Sequence, residues 1–189
     1  MQPPQLPCNC LARTTETLGC FPDLSTRSPT ETYRIPLDEV LSLGTALVEH
    51  WELLHGCTVT DTHLDTSMLR AMMEAAVKTL TLYEAAVESI LGGWGKESDG
   101  GGIDHSPPSN GDTVETKPTV VVTEVPVYFG AMELDRQEKT IAARETLRHA
   151  AMRLGKMLQD IEDMGANPGN EQARQLKSRL FRILGRLNS

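Results

Sequence analysis

The sequence is poor in aromatic residues and has no long apolar runs. Phe, Trp and Tyr together make up 4% of the 189 residues, whereas hydrophobic residues make up 39% and methionine occurs 8 times. Such a composition predicts an aliphatic, adaptable core. Because no run of about 20 apolar residues occurs, no membrane-spanning helix is expected. The first residues also lack the basic start and apolar core of a secretory signal, so a cytoplasmic or nuclear location is expected.

Cysteine is scarce as well, which excludes a binuclear zinc cluster of the six-cysteine type. Cys8 and Cys10 form a close pair, whereas Cys20 and Cys57 stand alone in the sequence. A structural zinc site usually shows two close pairs of ligands. In an intracellular chain these residues therefore indicate buried or free thiols, with a metal site as the alternative.

Residues 67–91 form the segment around which the other helices are expected to pack. Its apolar residues recur at steps of three and four, which places them on one face of a helix, and further apolar residues widen that face. A helix so broadly apolar lies in the middle of a bundle. Asp65, Thr66 or Ser67 can cap its start, and Gly92-Gly93 can end it. The apolar positions are Leu69, Met72, Met73, Ala76, Val77, Leu80, Leu82, Tyr83, Ala86, Val87, Ile90 and Leu91.

The same periodicity predicts other helices. Residues 36–55 should pack against 67–91 as an antiparallel helical hairpin. In residues 135–164, Asp135 and Glu138 have the spacing of a capping box. The apolar seam of this helix suits core packing or, alternatively, a homodimer seam. Residues 170–187 form an amphipathic helix, residues 8–21 a short helix and residues 22–35 a connecting loop. The seam consists of Ala143, Leu147, Ala150, Leu154, Met157, Ile161 and Met164.

Two segments between the helices differ in composition. Residues 92–118 are rich in Gly, Pro and Ser and cannot build a core, which indicates a disordered loop inside the domain. Residues 119–129 are β-branched and extended, although Pro126 argues against a central strand. The predicted fold is therefore all-α, a helical bundle with a disordered internal loop and a short extended segment. The predicted organisation is a disordered tail over 1–7, a helical domain over 8–164 and a basic amphipathic helix within 165–189.

No set of residues has the pattern of an active site, so we predict no enzyme activity and no catalytic, cofactor-binding or metal-binding residue. His50 and His55 are five apart and do not share a helix face well. His55 and His63 lie near Asp61 and Asp65, but capping and solvation explain that polar loop better than a metal does. The glycine-rich stretches do not join a strand to a helix as a phosphate-binding loop does. The glutamates Glu74, Glu84 and Glu88 are expected at the solvated edge of the central helix.

Charge is distributed unevenly along the chain. The formal net charge is −8, yet the helix over 170–187 carries five basic residues against Glu171. An acidic chain repels nucleic acid unless its positive charge is gathered on one surface. The basic residues flank an apolar row, which suits a groove better than a phosphate backbone. We expect this helix to dock on an acidic partner or on its own acidic bundle, and we expect no specific DNA binding by the chain alone.

Two blocks of residues carry a family resemblance. The first runs from Leu37-Asp-Glu-Val-Leu41 through His55-Gly-Cys57 to Lys78-x-Leu80-x-x-Tyr83. The second joins Val125-Pro-Val-Tyr-Phe-Gly130 to Glu133-Leu-Asp135 and the long helix that follows. Their order and spacing, with the Cys8-Asn-Cys-Leu11 start, resemble the fungal aflatoxin regulatory protein family over residues 8–164.

The resemblance implies a nuclear regulatory domain of fungal zinc-cluster transcription factors, which switch on secondary-metabolite genes such as those for polyketide mycotoxins. The chain departs from the pattern because it lacks the six-cysteine DNA-binding motif. It also has Thr58 and Val59 where many relatives carry a second cysteine near Cys57. The expected partner is therefore a protein, either a DNA-binding transcription factor or a second copy, and DNA is reached only indirectly or through a missing zinc-cluster domain.

Two other functions compete with regulation. One is a small helical biosynthetic-pathway enzyme or ligand-binding protein with a hydrophobic pocket. A cavity of about 300 Å³ or more with convergent polar groups would favour it. The other is a plain dimerisation module. The residues that could line such a pocket are Trp51, Met68, Met72, Met73 and Tyr83.

Overall fold

The computed structural model describes residues 8–23, 32–57, 64–93, 119–164 and 170–189. The all-α prediction is confirmed, since helices dominate this part of the chain and the strands are short. The tail predicted over 1–7 and residues 94–118 of the predicted loop lie outside the described residues. The elements are α1 (Cys10–Gly19), β1 (Thr32–Pro36), α2 (Leu37–His55), α3 (Thr66–Leu91), β2 (Thr119–Thr123), β3 (Tyr128–Phe129), β4 (Met132–Glu133), α4 (Arg136–Asp163) and α5 (Asn170–Leu187).

The helix α3 is the centre of the bundle, as its broad apolar face predicts. It contacts every other helix and β2. Its side chains at Leu80, Tyr83 and Val87 are fully buried. The carboxylate of Asp65 caps its start by accepting a hydrogen bond of 2.7 Å from the Met68 N–H. Among the described residues, no helix has the length and hydrophobicity needed to cross a membrane.

A small parallel sheet lies beside the helices. The strand β1 pairs in parallel with β2, so that Arg34 is opposite Val121 and Ile35 is opposite Val122. The prediction of a loop over 22–35 was therefore wrong at its end. Ile35 and Val122 belong to the buried core, and β2 packs on α3, so the pairing with β2 attaches the end of the predicted loop to the bundle. Pro126 follows β2 in a stretch without regular structure, in line with its unsuitability for a central strand.

Local capping fixes the start of α4. Asp135 accepts a hydrogen bond of 2.8 Å from the Glu138 N–H, and Glu138 accepts one of 2.8 Å from the Asp135 N–H. This reciprocal pair is the predicted capping box. The predicted seam packs into the bundle at most of its positions, although Met164 at its end is exposed.

The basic helix α5 docks on its own acidic bundle, which is one of the two outcomes expected for it. Its apolar row is buried against α3 and α4. Arg179 forms a forked ion pair with Glu84 at 3.1 and 2.7 Å, and Arg186 pairs with Glu88. Glu74 and Glu88 remain exposed, as predicted for the solvated edge of α3, whereas Glu84 is half-buried because Arg179 of α5 lies against it.

Candidate functional site

Three cysteine side chains converge where α1 begins and α2 ends. Cys8 precedes α1, Cys10 is its first residue, and Cys57 directly follows Gly56, the C-cap of α2. The three Sγ atoms all lie within 4.8 Å of one another. The Cys57 thiol donates a hydrogen bond to the Cys8 sulfur at 3.7 Å. We call this set the three-cysteine cluster.

Backbone geometry holds the cluster in place. The N–H of Cys57 donates to the Leu54 carbonyl at 3.2 Å, which fixes the chain as it leaves α2. The N–H of Cys10 donates to the Cys8 sulfur at 3.3 Å. Cys8 is exposed, whereas Cys10 and Cys57 are half-buried. The cluster is therefore accessible to solvent at Cys8 and is held by backbone hydrogen bonds.

The cysteines of the cluster differ in acidity. Hydrogen bonds from the side chain and backbone of Cys10 lower the pKa of the Cys8 thiol, because they stabilise its thiolate. The hydrogen bond with Cys8 raises the pKa of the Cys10 thiol, and burial adds to that effect. Cys8 is therefore the first of this pair to ionise, and a thiolate is the form that binds metals and attacks disulfides.

A buried polar pair lies beside the cluster. The Thr14 hydroxyl donates to the Cys10 carbonyl at 2.9 Å, so its oxygen can only accept from His50 Nε2, which lies 2.7 Å away. His50 Nε2 therefore carries a proton. Burial, with a further contribution from the Arg13 charge, lowers the pKa of His50 and favours a neutral ring. This hydrogen bond fixes α1 on α2 one turn away from the cysteines.

The sequence placed only part of this site. It identified Cys8 and Cys10 as a close pair but offered no reason to add Cys57, which the fold brings to them. Only the topology could have predicted this contact, because the start of α1 lies next to the end of α2 when the two helices run antiparallel. Cys20 lies apart, and its thiol donates to the Glu16 carbonyl at 3.3 Å. His63 and Asp61 lie outside the described residues.

A second feature is an exposed apolar hairpin in front of α4. The strands β3 and β4 pair antiparallel around Gly130, whose φ of 62° is a conformation that glycine adopts without strain. Tyr128, Phe129 and Met132 are 59%, 78% and 58% exposed. Phe129 and Met132 are directly opposite each other in the strand pair, and we call these two side chains the hairpin patch. A cluster of exposed large apolar residues is more informative than isolated ones, because such clusters mark interaction sites.

The hairpin has a fixed base. Lys139 of α4 lies 2.6 Å from a Glu133 oxygen of the hairpin and 3.7 Å from an oxygen of Glu124, which directly follows β2, and so joins both segments to the helix. The N–H of Leu134 also donates to the Val127 carbonyl at 2.9 Å. The hairpin patch is therefore presented to solvent from an anchored segment.

The residues considered for a hydrophobic pocket are part of the core instead. The side chains of Trp51, Met68, Met72, Met73 and Tyr83 are all buried in one continuous apolar cluster. Among the described residues, Trp51 Nε1 and the Tyr83 hydroxyl have no hydrogen-bond partner. This packing favours a structural role for the five side chains.

Comparisons with protein-family models, with curated proteins and with solved structures find no match for this chain. The resemblance to the aflatoxin regulatory protein family therefore rests on the order and spacing of the motifs quoted above.

Proposed function

We propose that this chain is a non-catalytic regulator of transcription that controls a fungal secondary-metabolite gene cluster through protein–protein contacts. The resemblance to the regulatory family is supported by residues of its motifs that pack in the core or cap a helix. Leu37, Leu80 and Tyr83 are core residues, and Asp135 caps α4. The two motif blocks thus contribute to one packed domain.

The hairpin patch is the observation that carries the contact part of the proposal. Burying an exposed aromatic or methionine side chain against a partner stabilises a complex by roughly 1.5–3 kcal/mol per residue before the costs of association. Aromatic residues and methionine are also enriched at interface cores. Because the patch is anchored through Lys139, little ordering is needed when a partner binds.

The partner is a DNA-binding transcription factor or a second copy of this chain. The formal net charge of −8 opposes direct approach to DNA. Four of the five basic residues of α5, Arg174, Lys177, Arg179 and Arg186, are already paired with glutamates. Reaching a promoter through another protein avoids the repulsion between phosphate and an acidic surface.

The test is transcript profiling in the native host after deletion of the gene, followed by complementation. We expect deletion to lower the transcripts of a contiguous set of biosynthetic genes together. The intact chain should restore them, and a chain with Phe129→Ser and Met132→Ser should not. The matched control is Ile141→Ser, which changes an exposed apolar side chain of α4 outside the hairpin.

The outcomes separate the parts of the proposal. Unchanged transcripts after deletion would contradict the regulatory function. Full restoration of the transcripts by the hairpin variant would be consistent with the regulatory function but would show that the hairpin patch is not the contact surface. Circular dichroism of the purified variants checks that each substitution at these exposed positions leaves the helical fold intact.

A second candidate function, a ligand-binding or small biosynthetic-pathway protein, is favoured by one observation. A groove of about 440 Å³ lies between α4 and α5, lined by apolar residues together with Arg148 and Lys177. This volume falls in the range of ligand sites. Native mass spectrometry of the chain purified from its host would reveal a bound small molecule of fixed mass. That molecule should be absent from a Met152→Arg variant, which places a charge in the groove.

A further inference from the structure

The sulfur spacing in the three-cysteine cluster matches metal ligation. A zinc–thiolate bond is about 2.3 Å long, so two sulfurs on one tetrahedral ion are about 3.8 Å apart. The sulfurs of Cys8 and Cys57 are 3.7 Å apart, and all three sulfurs lie within 4.8 Å of one another. Small side-chain rotations are enough to bring all three onto one ion.

A disulfide would explain this arrangement of three sulfurs less well than a metal ion. It joins two sulfurs at about 2.05 Å and leaves the third without a role. Here Cys8 and Cys10 lie two residues apart in one segment of the chain. Cys57 belongs to a second segment, which the fold brings next to the first. Convergence of three thiols from two separate chain segments is typical of a metal site, whereas a disulfide requires only two.

The surroundings of the cluster suit thiolates. The Cys10 N–H at the start of α1 donates to the Cys8 sulfur, and hydrogen bonds of this kind stabilise metal-bound thiolates. The N-terminal end of a helix also favours negative charge. A hollow of about 280 Å³ borders the cluster and is lined in part by Arg13 and His50. It provides an entry path, and the Arg13 cation lowers the cost of a site with excess negative charge.

We propose that Cys8, Cys10 and Cys57 bind one thiophilic d10 metal ion, Cu(I) or Zn(II), through three thiolates. Each thiol that is protonated beforehand releases its proton to solvent as its metal–sulfur bond forms, and no oxidation state changes. Cu(I) is satisfied by soft thiolate ligands alone, whereas Zn(II) takes a water molecule as its fourth ligand.

The metal would join α1 to the bundle. Of the residues in α1, Thr14 alone is fully buried, so the helix has a small packing interface of its own. Cys8 and Cys10 lie at the start of α1, and Cys57 lies at the end of α2. A shared ion therefore cross-links two segments that are distant in sequence, and it should raise the melting temperature because only the folded chain brings the ligands together.

The test uses the full chain, reduced and freed of metal. Zn²⁺ is titrated against a chromophoric chelator, and Cu⁺ is titrated without oxygen against a Cu(I) chelator. We expect one ion per chain, release of protons and a higher melting temperature for at least one of the two metals. The Cys8→Ser and Cys57→Ser variants should each lose more than about 100-fold in affinity, since even indirect ligand contacts are worth 10–100-fold.

Cys20→Ser is the matched control, because it removes the one cysteine outside the cluster and should bind like the unchanged chain. Circular dichroism checks that the cluster variants stay folded without metal. Failure of both metals to bind would overturn the proposal, as would equal affinity in the unchanged and Cys57→Ser chains.

Discussion

Gly44 of α2 leaves open the space that Tyr83 of α3 fills. A methyl group at residue 44 would lie 1.9 Å from the Tyr83 hydroxyl oxygen and 2.8 Å from the ring carbon that bears it. Both distances are far below van der Waals contact, and Tyr83 is fully buried. The missing side chain at Gly44 therefore permits the close approach of the two helices.

Replacing Gly44 by Ala should destabilise the protein by about 1–3 kcal/mol, because extra volume in a packed core forces side chains or backbone to move. Urea denaturation measures the change. The matched control is Gly185→Ala in α5, where an added methyl group meets no atom within 4 Å. That variant should be stabilised by about 0.5–1 kcal/mol through helix propensity. Equal effects at the two positions would contradict the packing described for Gly44.

Tyr83→Phe should be neutral or slightly stabilising. Burial raises the pKa of Tyr83, so its hydroxyl stays protonated, and among the described residues that hydroxyl has no hydrogen-bond partner. Removing an unsatisfied buried polar atom costs little. In combination with Gly44→Ala, the change also removes the oxygen that the new methyl group would meet. A double-mutant cycle should therefore give a coupling energy of about 0.5–3 kcal/mol, and strict additivity would refute the contact.

At the scale of elements, α5 is held by its apolar row and by ion pairs to α3 and α4. The Arg179–Glu84 pair is forked and partly buried, which makes it the best-formed of these contacts. The Arg144 guanidinium of α4 also donates to the Leu187 carbonyl at the end of α5, where the helix dipole favours a cation. The middle and the C-terminal end of the docked helix are thus tied to the bundle.

Arg179→Glu should destabilise the protein by roughly 1 kcal/mol, because it replaces an ion pair by a like-charge contact with Glu84. A compensating Glu84→Arg change should restore most of the loss. Arg182→Glu is the control, since Arg182 is exposed and has no ion pair within the described part of the chain. Thermal melts compare the four proteins. An equal loss at residues 179 and 182 would show a general charge effect.

Acid should loosen the docking of α5. The hydrogen bond from Lys177, with help from Arg174, lowers the pKa of Glu162 below its ordinary value of 4.5. A carboxyl with a lowered folded pKa contributes stability above its unfolded pKa, and the contribution is lost as pH falls through the folded pKa. Denaturation midpoints measured from about pH 6 to about pH 3 should therefore fall, and they should fall less in Glu162→Gln. An identical pH dependence in the variant would contradict this assignment.

The helices could be predicted because each carries its own signals. The broad apolar face of α3 and the capping box at Asp135 are local patterns. Contacts between distant segments left no such pattern. The pairing of β1 with β2, the approach of Cys57 to Cys8 and the identity of Glu84 as a partner of α5 were therefore not predicted, although docking of α5 on the acidic bundle was one of two expected outcomes. The amphipathic pattern of α3 shows that it has a polar edge but does not show which element lies over that edge.

At the scale of the whole molecule, the positive charge of α5 is largely paired with glutamates of the same chain. Most basic residues of α5 pair with glutamates of α3 and α4, and the chain as a whole is acidic. We expect the purified chain not to bind promoter DNA specifically in a mobility-shift assay at near-physiological salt. Tight, sequence-dependent binding that is lost in an Arg179→Glu, Arg182→Glu variant would contradict this expectation. Weak, salt-sensitive binding to any DNA would indicate only electrostatic attraction.

The most direct test of regulation through protein contacts is chromatin occupancy of the tagged chain in its native host. We predict that the intact chain occupies the promoters of a co-regulated gene set. The Phe129→Ser, Met132→Ser variant, present at equal abundance, should lose that occupancy because its contact surface is altered. No promoter enrichment of the intact chain, or full enrichment of the hairpin variant, would contradict the account.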